Sequence, residues 1–342
     1  MTLSIRAALA WLGPGRLVED AQVVCDGGVI TYAGPVTSIS DADETLDVGG
    51  FLMPAVADRH VHIELSDPAA VLNGGVTAVR DLAWPPERIF PLADASELPS
   101  YRGPLIRAAG AMLTGHGGYP TGEPWAPPGT GRELAGTADA TEVVRDLAGR
   151  GATAIKVSLN VEVGPTPTDA ELAAICDEAH RLDLPVTAHA QGAGQVERAL
   201  GAGIDELAHT PWTRLSDEVI ETAAARMRIV STLDILSFGR DTPQIRTAID
   251  NLRRFHTAGG QVIYGTDLGN GSIPPGIHTQ EVLLLRDAGL EPEEILSAMV
   301  RAPMDLDAPA DLIALGRSPL DDLTAFDHLQ LVVRAGKVIV AR

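Results

Sequence analysis

The sequence predicts an α/β chain in which a (β/α)8 barrel of the TIM type is inserted between two β-rich termini that pair as one small domain. Between residues 51 and 303, eight apolar strand-like segments alternate with amphipathic stretches, and eight is the count that a closed parallel barrel requires. Before and after that region the texture is β throughout, with tight turns and no helical period. A length of 342 residues suits one barrel, which commonly uses roughly 200 to 250, plus an accessory unit. The expected division is 1–52 with 304–342 for the small domain and 53–303 for the barrel.

In chain order, Ser4 to Trp11, Ala21 to Cys25 and Val29 to Ala33 read as strands, the last two joined by the hairpin turn Asp26-Gly27-Gly28. The start, Met1 to Leu12, has no basic segment followed by a small-residue cleavage site, so it reads as part of the fold. The barrel strands expected are Leu52 to His62, Val76 to Leu82, Leu105 to Met112, Ala154 to Leu159, Pro185 to Ala190, Glu206 to Thr210, Arg228 to Leu233 and Gln261 to Asp267. An open doubly wound sheet would fit the same alternation, but no Gly-x-Gly-x-x-Gly turn follows the first strand. Helices are expected over Thr168 to Leu182, where Thr168 and Glu171 form a capping box, over Asp241 to Ala258 and over Glu291 to Arg301. Thr114 to Thr137, rich in Gly, Pro and Thr, reads either as disordered or as a cover over a site. Beyond Pro303, Asp311 to Leu315, Leu329 to Arg334 and Val338 to Ala341 return to β texture.

Composition narrows the function. A net charge of −20 leaves the surface poor in the Lys and Arg that phosphate backbones and anionic lipids need, so nucleic acid and membrane are poor partners. No apolar run approaches the roughly 18 residues of a membrane span. Cys25 and Cys176, far apart, suit two reduced thiols and a cytoplasmic protein better than a disulfide framework. A small-molecule substrate and a homo-oligomer are the remaining partner expectations.

Barrel enzymes carry their chemistry at the C-terminal ends of the strands. There the sequence places His60 and His62, Lys156, His189, His209 and Asp267. Two histidines separated by one strand residue point the same way and can face one ion. Alone, His60-Val61-His62 could be an ordinary pair of strand-end histidines, and Lys156 could be half of a buried ion pair. Five metal-competent side chains at equivalent strand ends make coincidence a poor account. Lys156, on an otherwise apolar strand, must pair with a carboxylate or shed its proton, and a neutral amine is nucleophilic. Arg80 and Asp81 read as an ion pair, either behind the site or purely structural.

With Asp58-Arg59-His60-Val61-His62, Gly75 to Asp81, Thr114-Gly115-His116-Gly117, Lys156, Ala188-His189-Ala190, His209, Gly265-Thr266-Asp267 and Ala310 to Ile313, the chain resembles the amidohydrolase superfamily of metal-dependent hydrolases. Within it, the nearest pattern is the binuclear branch of prolidase-like and imidazolonepropionase-related proteins. The resemblance implies a β-sandwich for the split small domain. It implies that His60, His62 and Asp267 hold one divalent metal and His189 and His209 a second, with Lys156, carboxylated by CO2, bridging them. Zinc is the expected ion, with manganese, cobalt or iron as alternatives, and Asp267 the expected general base. The reaction implied is hydrolysis of an amide C–N bond in a small peptide, an N-acyl amino acid or a cyclic amide.

For substrate contacts the resemblance points to His116 and Tyr119 in the long loop after the third strand, and Arg240 after the seventh could meet a carboxylate. His180, His256, His278 and His328 receive no chemistry. Two departures bear on substrate: His209 is followed by Thr-Pro-Trp where many relatives have glycine, and the Arg301 to Ala310 link is short. A mononuclear deaminase or imidazolone-type hydrolase would use the same histidines with one ion, but deaminases usually carry a glutamate where Trp212 stands and do not need Lys156. A noncatalytic scaffold would have no reason to keep this set of mutually repelling groups.

Overall fold

Strands from the two ends of the chain find each other. The computed structural model describes residues 2–36 and 42–342; Met1 and residues 37–41, which fall within the expected N-terminal β unit, lie outside the described residues. One sheet runs in the order Lys337–Ala341, Leu329–Arg334, Leu312–Leu315, Phe51–Pro54, Leu3–Gly13, Arg16–Asp26 and Val29–Pro35, with Glu44–Asp47 also paired to Leu3–Gly13. The Asp-Gly-Gly hairpin forms as expected between Asp26 and Val29. Its far ends meet as well, since Ile30 N donates to Ala308 O and Ala310 N donates to Gly28 O, both at 2.9 Å. Alternating residues Leu3, Ile5, Val23, Cys25, Leu312, Leu331 and Val333 bury one face as a separate apolar cluster. The strands form one continuous hydrogen-bonded path rather than two separately paired sheets.

The central region is parallel. Val56–Val61, Val76–Asp81 and Leu105–Ala108 pair in one sheet. Met112–Thr114, Ile155–Asn160, Val186–Gln191, Glu206–Leu207, Arg228–Val230 and Gln261–Ile263 pair in a second. After the last strand the chain turns back to the first: Arg59 N donates to Tyr264 O at 3.1 Å, Asp267 N to His60 O at 2.8 Å and His62 N to Leu268 O at 2.7 Å. On the other side Thr153 N donates to Ala108 O at 2.9 Å. These parallel βα units carry a largely contiguous core that includes Val61, Ile106, Val157, Val186, Leu207 and Tyr264.

Two expected strands are broken. Leu52 to His62 divides at Ala55, because Phe51–Pro54 pairs with Leu312–Leu315 of the terminal sheet while Val56–Val61 pairs with Val76–Asp81. Leu105 to Met112 divides at Ala109-Gly110-Ala111, where Gly110 has φ +77° and an added Cβ would sit 2.9 Å from the Leu147 and Phe90 side chains. The strands expected through Thr210, Leu233 and Asp267 end earlier, at Leu207, Val230 and Ile263, so His209 and Asp267 lie on the connecting loops.

Helices follow their signals. Asp169–Arg181 starts on the expected capping box, with Glu171 N donating to Thr168 Oγ1 and Thr168 N to Glu171 Oε2. Pro243–Thr257 and Pro292–Met299 fall inside the expected spans. The Gly- and Pro-rich loop is described throughout; it folds back so that Gly131–Glu133 pairs in parallel with Met112–Thr114. Both cysteines are buried and unpaired. Among the described residues no helix is long and apolar enough to cross a membrane.

Candidate metal centre

Asp58, first of the Asp-Arg-His-Val-His run, builds the site from beneath. One of its oxygens accepts from His60 N at 3.0 Å and Thr266 N at 3.1 Å, and the other accepts from the Thr266 hydroxyl. These bonds tie Val56–Val61 to the loop that carries Asp267. Gly265 allows the approach, since an added Cβ would meet Val230 Cγ1 at 2.4 Å and His60 N at 3.1 Å. Asp267 itself has φ +60°, a left-handed conformation costly for a non-glycine residue and found where surrounding structure enforces it at functional sites.

Backbone carbonyls set the imidazoles. His60 Nδ1–H donates to Ala208 O at 2.7 Å and His62 Nδ1–H to Ala83 O at 3.0 Å, which leaves the Nε2 lone pairs free. Both Nε2 atoms reach the same Asp267 oxygen, at 3.4 and 3.3 Å. The His209 ring centroid lies 4.5 Å from that of His60 and 4.6 Å from that of His189. His209 Nδ1 bonds the Thr232 hydroxyl at 2.9 Å, and Thr232 too is held at positive φ. His189 Nε2 accepts from Asn160 Nδ2 at 3.1 Å.

Lys156 is wholly buried, and its Nζ has no hydrogen-bond partner among the described residues. Burial pushes its pKa down to about 7 against the attraction of Asp267, so much of the amine is neutral near neutral pH. Burial, then the charge of Lys156 or a neighbouring histidine, holds His60, His189 and His209 well below the ordinary imidazole value. Burial also opposes charge on His62, but Asp267, Asp81 and the Ala83 carbonyl outweigh it and raise its pKa. Four imidazoles, a carboxylate and an orphaned amine, with no thiolate, form a donor set that fits borderline divalent cations. His60, His209 and Asp267 each bring a donor atom within 4.8 Å of the others.

The structure thus brings together His60, His62, Lys156, His189, His209 and Asp267. The loop residues expected to meet substrate divide. Tyr119 packs its ring 5.0 Å from His189. His116 is 93% exposed and bonds Glu133 instead. Arg240 is exposed, its Nε donating to Ser237 O at 3.2 Å. The expected Arg80–Asp81 ion pair does not form: Arg80 pairs with Glu206, while Asp81 accepts from Ile63 N at 2.8 Å and Ala83 N at 3.2 Å. The strand alternates faces, so two consecutive residues cannot share one.

Sequence reading missed Trp125, whose ring lies 4.6 Å from His62 and 6.1 Å from Tyr119. No local pattern marks it, because only the folding back of the loop brings it there. Asn160 and Thr232 were missed too; both are polar residues just past strands or at their ends, a signal that could have drawn notice. His278, for which no chemistry is expected, bonds buried Asp234 at 2.7 Å in the loop after Arg228–Val230.

The chain is similar to known proteins along its whole length. The fold matches the crystal structure of ochratoxinase from Aspergillus niger, with a TM-score of 0.84 at 22% identity over 99% of this chain and 96% of that one. It matches that of a Xaa-Pro dipeptidase with methionine bound in its active site, at 0.85 and 20% identity over 99% of both. In sequence the Aspergillus niger ochratoxinase is 26% identical over 97% of this chain and 85% of its own length. Imidazolonepropionase of Caulobacter vibrioides is 44% identical over 66 residues, which span 17% of this chain and only 16% of that relative. The profile of the amidohydrolase family matches residues 51–303, the region that carries every residue of the centre. The chain belongs to the amidohydrolase family.

Proposed function

We propose that the protein is a binuclear metal-dependent hydrolase of an amide C–N bond in a small peptide, an N-acyl amino acid or a cyclic amide. The observation that carries the reading is the buried, unpartnered Nζ of Lys156 among four histidines and Asp267. His60, His62 and Asp267 would hold one divalent ion, and His189 and His209 the other, with zinc the expected metal. Ions held there would supply a water of lowered pKa and polarise the scissile carbonyl. Lys156 would hold both ions once its Nζ had added to the carbon of CO2 and released a proton to solvent, which would turn the neutral amine into an anionic carbamate. Asp267 takes the proton of the attacking water and delivers it to the leaving nitrogen. Asp58 and Thr266 keep Asp267 aimed, while the Ala83 and Ala208 carbonyls keep both histidine tautomers fixed.

Tyr119 and Trp125 offer an aromatic wall beside His189 and His62, which favours substrates with an apolar or aryl group next to the amide. The dipeptidase and the ochratoxinase among the relatives support a hydrolytic reading. The same reading takes 53–303 as a closed (β/α)8 catalytic barrel and 1–52 with 304–342 as a sandwich-like domain, acting in a reducing cytoplasm. The backbone bonds from Tyr264 to Leu268 onto Arg59 to His62 support the closure, and the two free thiols support the compartment.

A mononuclear centre draws support from the tight His60, His209 and Asp267 group, which would suffice for one ion. Metal analysis with a panel of dipeptides, acyl amino acids and lactams separates the readings. Two metals per chain in the wild type, reduced together with hydrolysis in Lys156→Ala, is the expected result. One metal per chain, indifferent to that change, would sink the binuclear reading.

A further inference from the structure

At the opposite, N-terminal mouth of the central strands lies a cavity of ≈ 210 Å³ lined by Arg59, Arg80, Arg107, Arg301 and Thr153. Leu105, which opens its strand, and Thr153, which precedes the next, mark this as the end away from the histidines. Arg80 and Arg107 are direct register partners on adjacent parallel strands, so their side chains share a face. Arg80 Nε also donates to Arg59 O at 3.0 Å. Like charges placed this close repel unless something negative stands among them.

The carboxylates nearby are already committed. Glu206, 1% exposed, takes Arg80 and lies 3.5 Å from Arg228 outside the cavity. Asp58 lines the cavity, but its oxygens are taken by His60 N and Thr266. Glu97 meets Arg107 at the exposed rim, and Asp311 lies 4.0 Å from Arg301 while accepting from Ala335 N at 2.8 Å. Arg59 donates from Nη2 to Val300 O at 3.2 Å, and its buried Nε has no hydrogen-bond partner among the described residues. In a chain of net charge −20 this concentration of guanidinium groups is not a consequence of composition.

We propose that this mouth is a binding site for a tetrahedral oxyanion of the phosphate class, held by Arg59, Arg80, Arg107 and Arg301. Guanidinium forks match oxyanion geometry with paired N–H donors, and Thr153 adds a hydroxyl at the rim. The anion is either free phosphate or the phosphate group of a small metabolite. The site is separate from the metal centre and stands whether or not the hydrolase reading does.

Calorimetric titration of metal-free protein with inorganic phosphate, and separately with glycerol 2-phosphate, at ionic strength held by NaCl, tests the site where no metal can take the anion. Saturable binding, displaced by sulfate and weakened at least tenfold in Arg107→Gln and Arg301→Gln, is expected. Tighter binding of the ester would identify a metabolite as the source, and tighter binding of inorganic phosphate the free ion. A second measurement uses the wild type alone: phosphate should protect Arg107 and Arg301 from phenylglyoxal, as mapped by mass spectrometry. Binding no different from the chloride control, unchanged affinity in both folded variants, or no protection at either arginine would overturn the proposal.

Discussion

Lys156 costs the protein something before any metal arrives. A wholly buried amine with no partner leaves its desolvation unrepaid, so Lys156→Met should raise the stability of the metal-free protein by about 1–3 kcal/mol. On the proposed binuclear reading the same variant should lose hydrolysis by at least about a hundredfold, the equivalent of about 3 kcal/mol of transition-state stabilisation. Chemical denaturation of chelator-treated protein beside a substrate assay checks both; a destabilised metal-free variant would show that Lys156 has a structural partner instead. Trp125 makes a different kind of contribution. Its ring stands over His62 without holding it, so Trp125→Ala should leave metal content unchanged and raise KM for aryl-bearing substrates about tenfold, the equivalent of about 1.4 kcal/mol of lost aromatic contact. Steady-state kinetics on matched aryl and alkyl substrates read this directly.

Among the elements, the helix Thr279–Asp287 governs the loop that follows Arg228–Val230. Glu281 on that helix accepts from Leu233 N and Asp234 N, both at 2.8 Å, and burial pushes its carboxyl up to about 7. Below about pH 4.5 folded and unfolded chains both hold this proton. As pH rises toward 7 the unfolded chain releases it first, so this group destabilises the native state by up to about 3 kcal/mol, and the cost is fully developed above pH 7. Glu281→Gln removes the titration, and its Tm relative to the wild type should climb between pH 5 and 7.5. The trend is the readout, because the amide offers one acceptor to two N–H donors and brings a constant offset. A flat difference across that range would show that Glu281 does not titrate there.

For the whole molecule, the decisive feature is that Leu312–Leu315 lies between Phe51–Pro54 and Leu329–Arg334. Phe51–Pro54 leads directly into Val56–Val61 and the two histidines, so the C-terminal strands brace the first strand of the region that carries the candidate metal centre. Deletion of 304–342 should strip the pairing from Phe51–Pro54 and expose Leu52 and Met53, both fully buried. Loss of soluble expression, or of a cooperative thermal transition, is the expected outcome. A truncated chain that melts cooperatively and keeps its metals would show the terminal sheet to be dispensable.

The sequence by itself determined the alternation of strands and helices, the β texture of both ends, the capping box at Thr168 and the six residues that converge. Each of these is local: a period of two or 3.6, a hairpin dipeptide, or a chemical side chain near the end of an apolar run. Only the tertiary structure decided where Leu52 to His62 breaks, because that depends on which partner strand claims each half. It decided that His116 turns to Glu133 while Trp125 comes to His62, since a Gly- and Pro-rich loop records no path in its sequence. It also decided that Arg80 serves Glu206 rather than its neighbour Asp81, because contacts across the interior join residues 126 positions apart. Periodicity is carried by neighbours along the chain, whereas pairing and burial are settled by residues far from them.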